Sequence, residues 1–258
     1  MKLLSEIHAI SRDAGTAILA VYQRDFEQMT KSDQSPLTEA DLLADQIIKQ
    51  GLNKLSPEIP VLSEESVAEF SGPNQQSMYW LVDPLDGTKE FINKTGEFTV
   101  NIALIRRGKP VLSVVYVPVK DILYSAEFNQ GAYKVSGGES VKIQVSVRPS
   151  LEPVRLVGSR SHGTEMGRWL AQFDSYSVMT VGSSLKFCLV AEGQADIYPR
   201  FGSTSLWDTA AAQLILEEAG GKVVDLAGRC LNYSNPEVLL NPYFLALGAI
   251  DLKTLKLE

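Results

Sequence analysis

Several things are scarce in this sequence, and each shortage narrows the choices. Its 258 residues include two cysteines and two histidines, which excludes a histidine-rich zinc site and a disulfide framework. Cys188 and Cys230 form no CxxC pair. Cys188 lies in the apolar run Phe187-Cys188-Leu189-Val190, where a buried structural thiol is expected, and Cys230 lies beside a turn. Any metal would therefore be a hard ion held by carboxylates. No stretch approaches the roughly 20 apolar residues of a membrane span. The opening Met-Lys-Leu-Leu-Ser-Glu-Ile-His breaks its apolar run at Glu6 and His8, too early for a signal peptide, so a cytoplasmic location is expected. Positive charge is scarce too: 24 Lys and Arg face 31 Asp and Glu, a net charge of -7 that argues against broad nucleic-acid binding. A small anionic substrate remains admissible, because a few local donors or bound cations reverse the local field. Neither a GxxxxGKS/T phosphate loop nor a GxSxG nucleophile elbow occurs.

What is present suits a globular chain long enough for one large domain or two subdomains. Leu3, Leu4, Ile7, Ala14, Ile18 and Val21 recur at helical spacing, predicting an amphipathic helix over 3–22. A polar break at 31–36 precedes a second helix from about Thr38 to Leu55, before Pro57. Met78 to Val82 reads as a strand stopped by Pro84. Phe98–Ile105 and Val111–Val117 read as strands joined through Arg106-Arg107-Gly108-Lys109, followed by Ile122–Ala126 and Gly131–Val135. Residues 146–153, with two prolines, make the best linker, dividing the chain into 1–150 and 151–258. Beyond it a strand at Val154–Val157, helices near Thr164–Phe173, Ser184–Glu192 and Ser205–Ala219, and a strand at Lys222–Leu226 alternate. The expected class is α+β, layered, with two subdomains.

The chemistry concentrates where elements end. Asp83-Pro84-Leu85-Asp86-Gly87-Thr88 closes a strand with a tight turn that aims two carboxylates and a hydroxyl at one point, and such carboxylates repel unless a cation lies between them. Asp, Pro and Gly are also ordinary turn formers. Ser63-Glu64-Glu65 again puts acids at a strand end, or in the first turn of a helix that favours them. Asp208 opens the late helix, where Ser205-x-x-Asp208 also reads as a capping arrangement, as does Thr38-x-x-Asp41. Each explanation suffices alone, but together they leave acids unaccounted for at several element ends. Asp83 and Asp86 stand three apart, the wrong spacing for the aspartyl-phosphatase DxDxT pattern, which weighs against a covalent phospho-enzyme.

Taken together, Glu64-Glu65, Asp83 to Thr88 and Trp207-Asp208-Thr209-Ala210-Ala211 resemble the three signatures of the lithium-sensitive, magnesium-dependent inositol monophosphatase superfamily. Segments 86–91, 96–105 and 182–193 look like its bacterial 3'(2'),5'-bisphosphate nucleotidases. The resemblance implies an αβαβα sandwich. It implies hydrolysis of 3'-phosphoadenosine 5'-phosphate to AMP and phosphate, with action on the sulfated form as well, in support of sulfate assimilation. Carried over by position, Glu64, Asp83, the Leu85 carbonyl, Asp86 and Asp208 would bind two or three Mg2+ ions. Asp41, Thr88 and Glu64 form the implied catalytic set, with Thr88 and Asp41 activating the attacking water. Glu64, Leu85, Asp86, Gly87, Thr88 and Asp208 would also face the substrate. The other implied substrate contacts are Ser159, His162, Gly182, Ser183, Ser184, Lys186 and Arg200, with Lys186 and Arg200 meeting the 5'-phosphate. The N-terminus of the helix near Ser184 is a further phosphate site on this reading. Phosphoryl transfer to water gains from two metals about 3.5–4 Å apart, with Asp83 as their natural bridge. Relatives of this branch can sit at the inner membrane's cytoplasmic face, although no anchor or basic amphipathic helix here supports that. The rival readings are inositol or sugar monophosphate hydrolysis on the same scaffold, and a non-catalytic metal- or nucleotide-binding regulator.

Overall fold

The computed structural model describes residues 2–31, 36–147, 153–158 and 164–255. In chain order the elements are α1 (Lys2–Tyr22), β1 (Gln28–Thr30), β2 (Pro36–Thr38), α2 (Glu39–Leu55), β3 (Val61–Ser63), β4 (Met78–Asp86), α3 (Thr88–Ile92), β5 (Thr99–Arg106), β6 (Lys109–Val117), β7 (Ile122–Glu127), β8 (Gly131–Ser136) and β9 (Glu139–Ile143). They continue with β10 (Val154–Gly158), α4 (Thr164–Leu170), β11 (Tyr176–Thr180), α5 (Leu185–Ala191), β12 (Ile197–Arg200), α6 (Ala210–Glu218), β13 (Lys222–Asp225) and β14 (Phe244–Leu247). Strands β3 to β9 form a seven-stranded sheet in chain order. Strands β10 to β14 form a five-stranded sheet in the order β11-β10-β12-β14-β13.

Strand alternation builds the layers. On β4, Trp80 and Val82 point to one face and join Val100, Ile102 and Leu104 of β5 beneath Ile7, Ile18, Ala44 and Ile48 of α1 and α2. Tyr79 and Leu81 point the other way, with Ala103 and Ile105, into a core shared with α5, α6 and Val157, Tyr198, Val223 and Phe244 of the second sheet. The far face of that sheet buries Leu156, Ile197, Val224 and Leu245 against Trp169 and Leu170 of α4. Helix pair, sheet, helix pair, sheet, helix: the αβαβα order that the resemblance implies is the one observed. Strands covered on both faces read as continuous apolar runs, which is why β4 to β6 were legible.

Several details differ from expectation. Pro84 does not stop β4. Pairing to β3 ends at Ser63 opposite Val82, so no partner on that side needs the missing N–H. Pairing to β5 resumes at Asp86 opposite Thr99 after a bulge beyond Asp83. Helix α6 begins at Ala210, so Asp208 lies in the preceding turn rather than in the helix. Strands β9, β11, β12 and β14 carried no sequence signal. β11 is exposed along its whole length, so it shows no alternation to detect. Residues 148–152 of the expected linker lie outside the described residues. Among the described residues no helix is long and apolar enough to cross a membrane.

Candidate active site

The bulge near the end of β4, the end of β3 and the turn before α6 bring acids together. One carboxylate oxygen each from Glu64, Asp83 and Asp208 lies within 4.8 Å of the others. Each arrives by its own support. Asp83 is buried, and its Oδ1 accepts from the Leu85 N–H at 3.1 Å. Glu64 follows Ser63, whose Oγ donates to Asp45 Oδ1 at 2.5 Å, anchoring the strand end to α2. Asp208 Oδ2 accepts from the Ser205 N–H at 2.9 Å, half of the capping arrangement read from sequence. Asn241 Nδ2 donates to the Ser205 carbonyl at 2.8 Å, and buried Trp207 fixes the turn in the interlayer core. Asp86 stands beside this trio. Its Oδ2 is drawn instead to the Ser184 N–H and Oγ, both at 2.6 Å.

Burial governs the charge of the cluster. It raises Asp83 well above the ordinary aspartate value, reinforced by the charges of Glu64, Asp86 and Asp208. Burial and the charges of Asp86 and Glu64 push Asp208 up to about 8. Burial raises Glu64 as well, against the pull of Lys31. Lys31 Nζ lies 2.7 Å from Glu64 Oε1 and 2.6 Å from Glu65 Oε1. Burial alone would lower its affinity for the proton, but the two carboxylates hold it as an ammonium above its usual value. An all-oxygen, like-charged, largely buried donor set fits a hard divalent cation and not a soft one.

The hydroxyl and its partner are also in place. Asp41 is 1% exposed and occupies the first turn of α2. Its Oδ2 accepts from the Thr38 N–H at 2.8 Å and Thr38 Oγ1 at 2.6 Å, the capping box expected for the helix start. Its Oδ1 accepts from Thr88 Oγ1 at 3.0 Å. Asp41 thus caps its own helix through one oxygen and meets Thr88 through the other. Gly87 makes the approach of Thr88 possible: at φ 96° it takes a left-handed conformation that other residues resist, reversing the chain between Asp86 and α3.

Asp86, Gly87 and Asp208 also line a cavity of about 350 Å3, shared with Gly182, Ser183, Ser184, Lys186, Tyr198 and Arg200. Gly182 is needed for closeness, since a Cβ there would lie 2.5 Å from Glu90 Cγ. Lys186 is 6% exposed. Its Nζ donates to the Ser183 carbonyl at 2.7 Å and sits 5.3 Å from the centre of the Tyr198 ring. Burial lowers its pKa to about 8, against the pull of Asp86. Arg200 donates through Nε to Thr204 Oγ1 at 2.7 Å and through Nη2 to the Ser203 carbonyl at 2.9 Å. One expectation fails here. The backbone at the start of α5 is not left open for a phosphate, because the Ser184 N–H is spent on Asp86 and the Phe187 N–H on the Ser184 carbonyl. The anion at this short helix is the protein's own carboxylate.

Glu64, Asp83, Asp208, Asp86, Leu85, Thr88 and Asp41 thus gather at one place, and Lys186, Arg200 and 182–184 gather beside it. Ser159 and His162 lie outside the described residues. Lys31 and Asp45 were missed. Lys31 lies in a polar break and meets acids 33 and 34 residues away, a contact no local pattern encodes.

Comparison with known proteins agrees with this geometry. Residues 2–254 match the inositol monophosphatase family. The 3'(2'),5'-bisphosphate nucleotidase CysQ of Salmonella typhimurium (strain LT2) is 49% identical over 245 residues, covering 94% of this chain and 98% of that one. The protein of the same name from Escherichia coli (strain K12) is 47% identical over 245 residues with the same coverage. The crystal structure of CysQ from Bacteroides thetaiotaomicron superposes with a TM-score of 0.83 at 38% identity, covering 97% of this chain and 98% of that chain. From its strand-end acids to its layered sheets, the chain belongs to the inositol monophosphatase family.

Proposed function

We propose that this protein is a magnesium-dependent phosphatase that hydrolyses the 3'-phosphate of adenosine 3',5'-bisphosphate, giving AMP and phosphate, in the cytoplasm. Its relatives' name supports the activity. The observation that carries the substrate class is the shared cavity, in which the acids Asp86 and Asp208 face the cations Lys186 and Arg200. A substrate with one reacting phosphate and one recognition phosphate matches such a site.

On this reading Glu64, Asp83, the Leu85 carbonyl, Asp86 and Asp208 would hold two or three Mg2+ ions. When bound, magnesium supplies positive charge for the phosphoryl oxygens and the departing ribose oxygen. The chain's own residues do the positioning. Thr88 has one proton and two acceptors in reach, Asp41 Oδ1 at 3.0 Å and the Leu85 carbonyl at 3.4 Å, so toward a water it would accept, orienting that water toward phosphorus. Burial raises Asp41 above the ordinary aspartate value and makes it a stronger base behind Thr88. Lys186 and Arg200 would bind the 5'-phosphate, and the same pocket would admit the sulfated nucleotide.

A phosphate-release panel tests this. With the bisphosphate nucleotide, AMP and inositol phosphate as substrates, only the first should turn over rapidly, and only with magnesium; lithium should inhibit. Equal rates on inositol phosphate would favour the monophosphatase reading instead.

A further inference from the structure

One buried polar residue in β5 has no part in the machinery above. Asn101 is 1% exposed and pairs across the sheet with Asp83. Its neighbours Val100, Ile102, Ala103 and Leu104 are apolar and buried, so an apolar side chain would suit the position. Its Oδ1 is buried without a hydrogen-bond partner, a cost that an aliphatic residue would not incur. The other end of the amide is fully used. Nδ2 donates to Asp86 Oδ2 at 3.2 Å and to Ser184 Oγ at 2.9 Å. A carboxylate can only accept, which settles which end of the amide faces it.

Ser184 Oγ lies 2.6 Å from Asp86 Oδ2 and 2.6 Å from the Asp208 carbonyl, and it has one proton for the two. Among the described residues, all donors to the Asp86 carboxylate meet Oδ2, which leaves Oδ1 for a ligand. We propose that Asn101 is a positioning residue of the acid site. Its amide locks the Asp86 carboxylate and orients the Ser184 hydroxyl, so that Ser184 ties the turn of the first sheet to the turn carrying Asp208. This rests on Asp86 and Asp208 serving a divalent cation. The partners of metal ligands typically set affinity by about 10- to 100-fold.

The test separates positioning from packing. Asn101→Leu removes the donor and the orphaned oxygen together while keeping the volume similar. By calorimetric titration with Mg2+ in the absence of nucleotide, the variant should bind about 10-fold more weakly or worse. Its kcat should fall about 10-fold, its KM for the bisphosphate should stay within about twofold, and its melting temperature in EDTA should hold or rise. Asn101→Ala serves as a second, smaller variant. Combined with Ser184→Ala, the loss of Mg2+ affinity should be smaller than the product of the single losses, because the two side chains act as one unit. A folded Asn101→Leu with wild-type Mg2+ affinity sinks the proposal. So does a loss of activity that merely follows a fall in melting temperature. If the wild type itself binds no Mg2+, the reading of the acid site fails first, and this inference falls with it.

Discussion

The acid cluster and the cation pocket sit on either side of Asp86, and burial disturbs them in opposite senses. On the acid side Asp83, Glu64 and Asp208 are held above their ordinary pKa values. On the cation side Lys186 is held below its own. Each region is built to be incompletely neutral, so each is favourably completed by a ligand of opposite charge. Their difference lies in the supports. The acids are fixed by backbone turns, whereas Lys186 and Arg200 are held by carbonyls and hydroxyls of their own neighbourhood.

The comparison can be broken at several strengths. The largest effect is expected for Asp83→Asn, which removes the most buried charge of the cluster. Steady-state hydrolysis should fall by about a thousandfold or more, while the melting temperature in EDTA holds or rises. Full activity at limiting magnesium would remove the acid half of the comparison. Thr88→Val keeps shape but loses the hydroxyl that meets Asp41. The expected loss is about 100-fold in kcat with little change in KM. On the other side, Lys186→Met and Arg200→Met should weaken the bisphosphate by about 10- to 100-fold in kcat/KM, the usual worth of a charge-assisted hydrogen bond. Turnover of inositol phosphate should be spared. Equal losses on both substrates would mean the pocket does not read a second phosphate.

The smallest effect concerns stability without metal. Carboxylates with raised folded pKa values keep protons that the unfolded chain has already released. The EDTA-treated protein should therefore lose stability as pH rises from near 3.8 to about 8 for Asp208, and level off above. The melting temperature should fall steadily across that window, and saturating magnesium should abolish the drop. A metal-free protein that gains stability over the same range would show that the acids are not held as described.

Much of this site was legible because turn chemistry is local. Thr38 to Asp41 had to cap a helix, and Asp83 to Thr88 had to break regular pairing, which they do as a bulge within β4 followed by the reversal at Gly87. Asn101 was not legible, because a lone Asn in an apolar strand has no spacing to interpret. Nor was Asp45, whose partner Ser63 is 18 residues away. The start of α5 was misjudged for a related reason. A helix N-terminus attracts anions, but only the tertiary structure shows that Asp86, 98 residues from Ser184, already supplies one.

By itself the sequence determined the alternation of apolar faces, the turns and the acids at element ends, since these follow from contacts within a few residues. Only the tertiary structure decided that Glu64, Asp83 and Asp208 share one point, that Asp41 serves Thr88 as well as its own helix, and that Lys186 is buried beside Asp86. Those outcomes depend on how the two sheets close over α5 and α6, a long-range packing that no local pattern encodes.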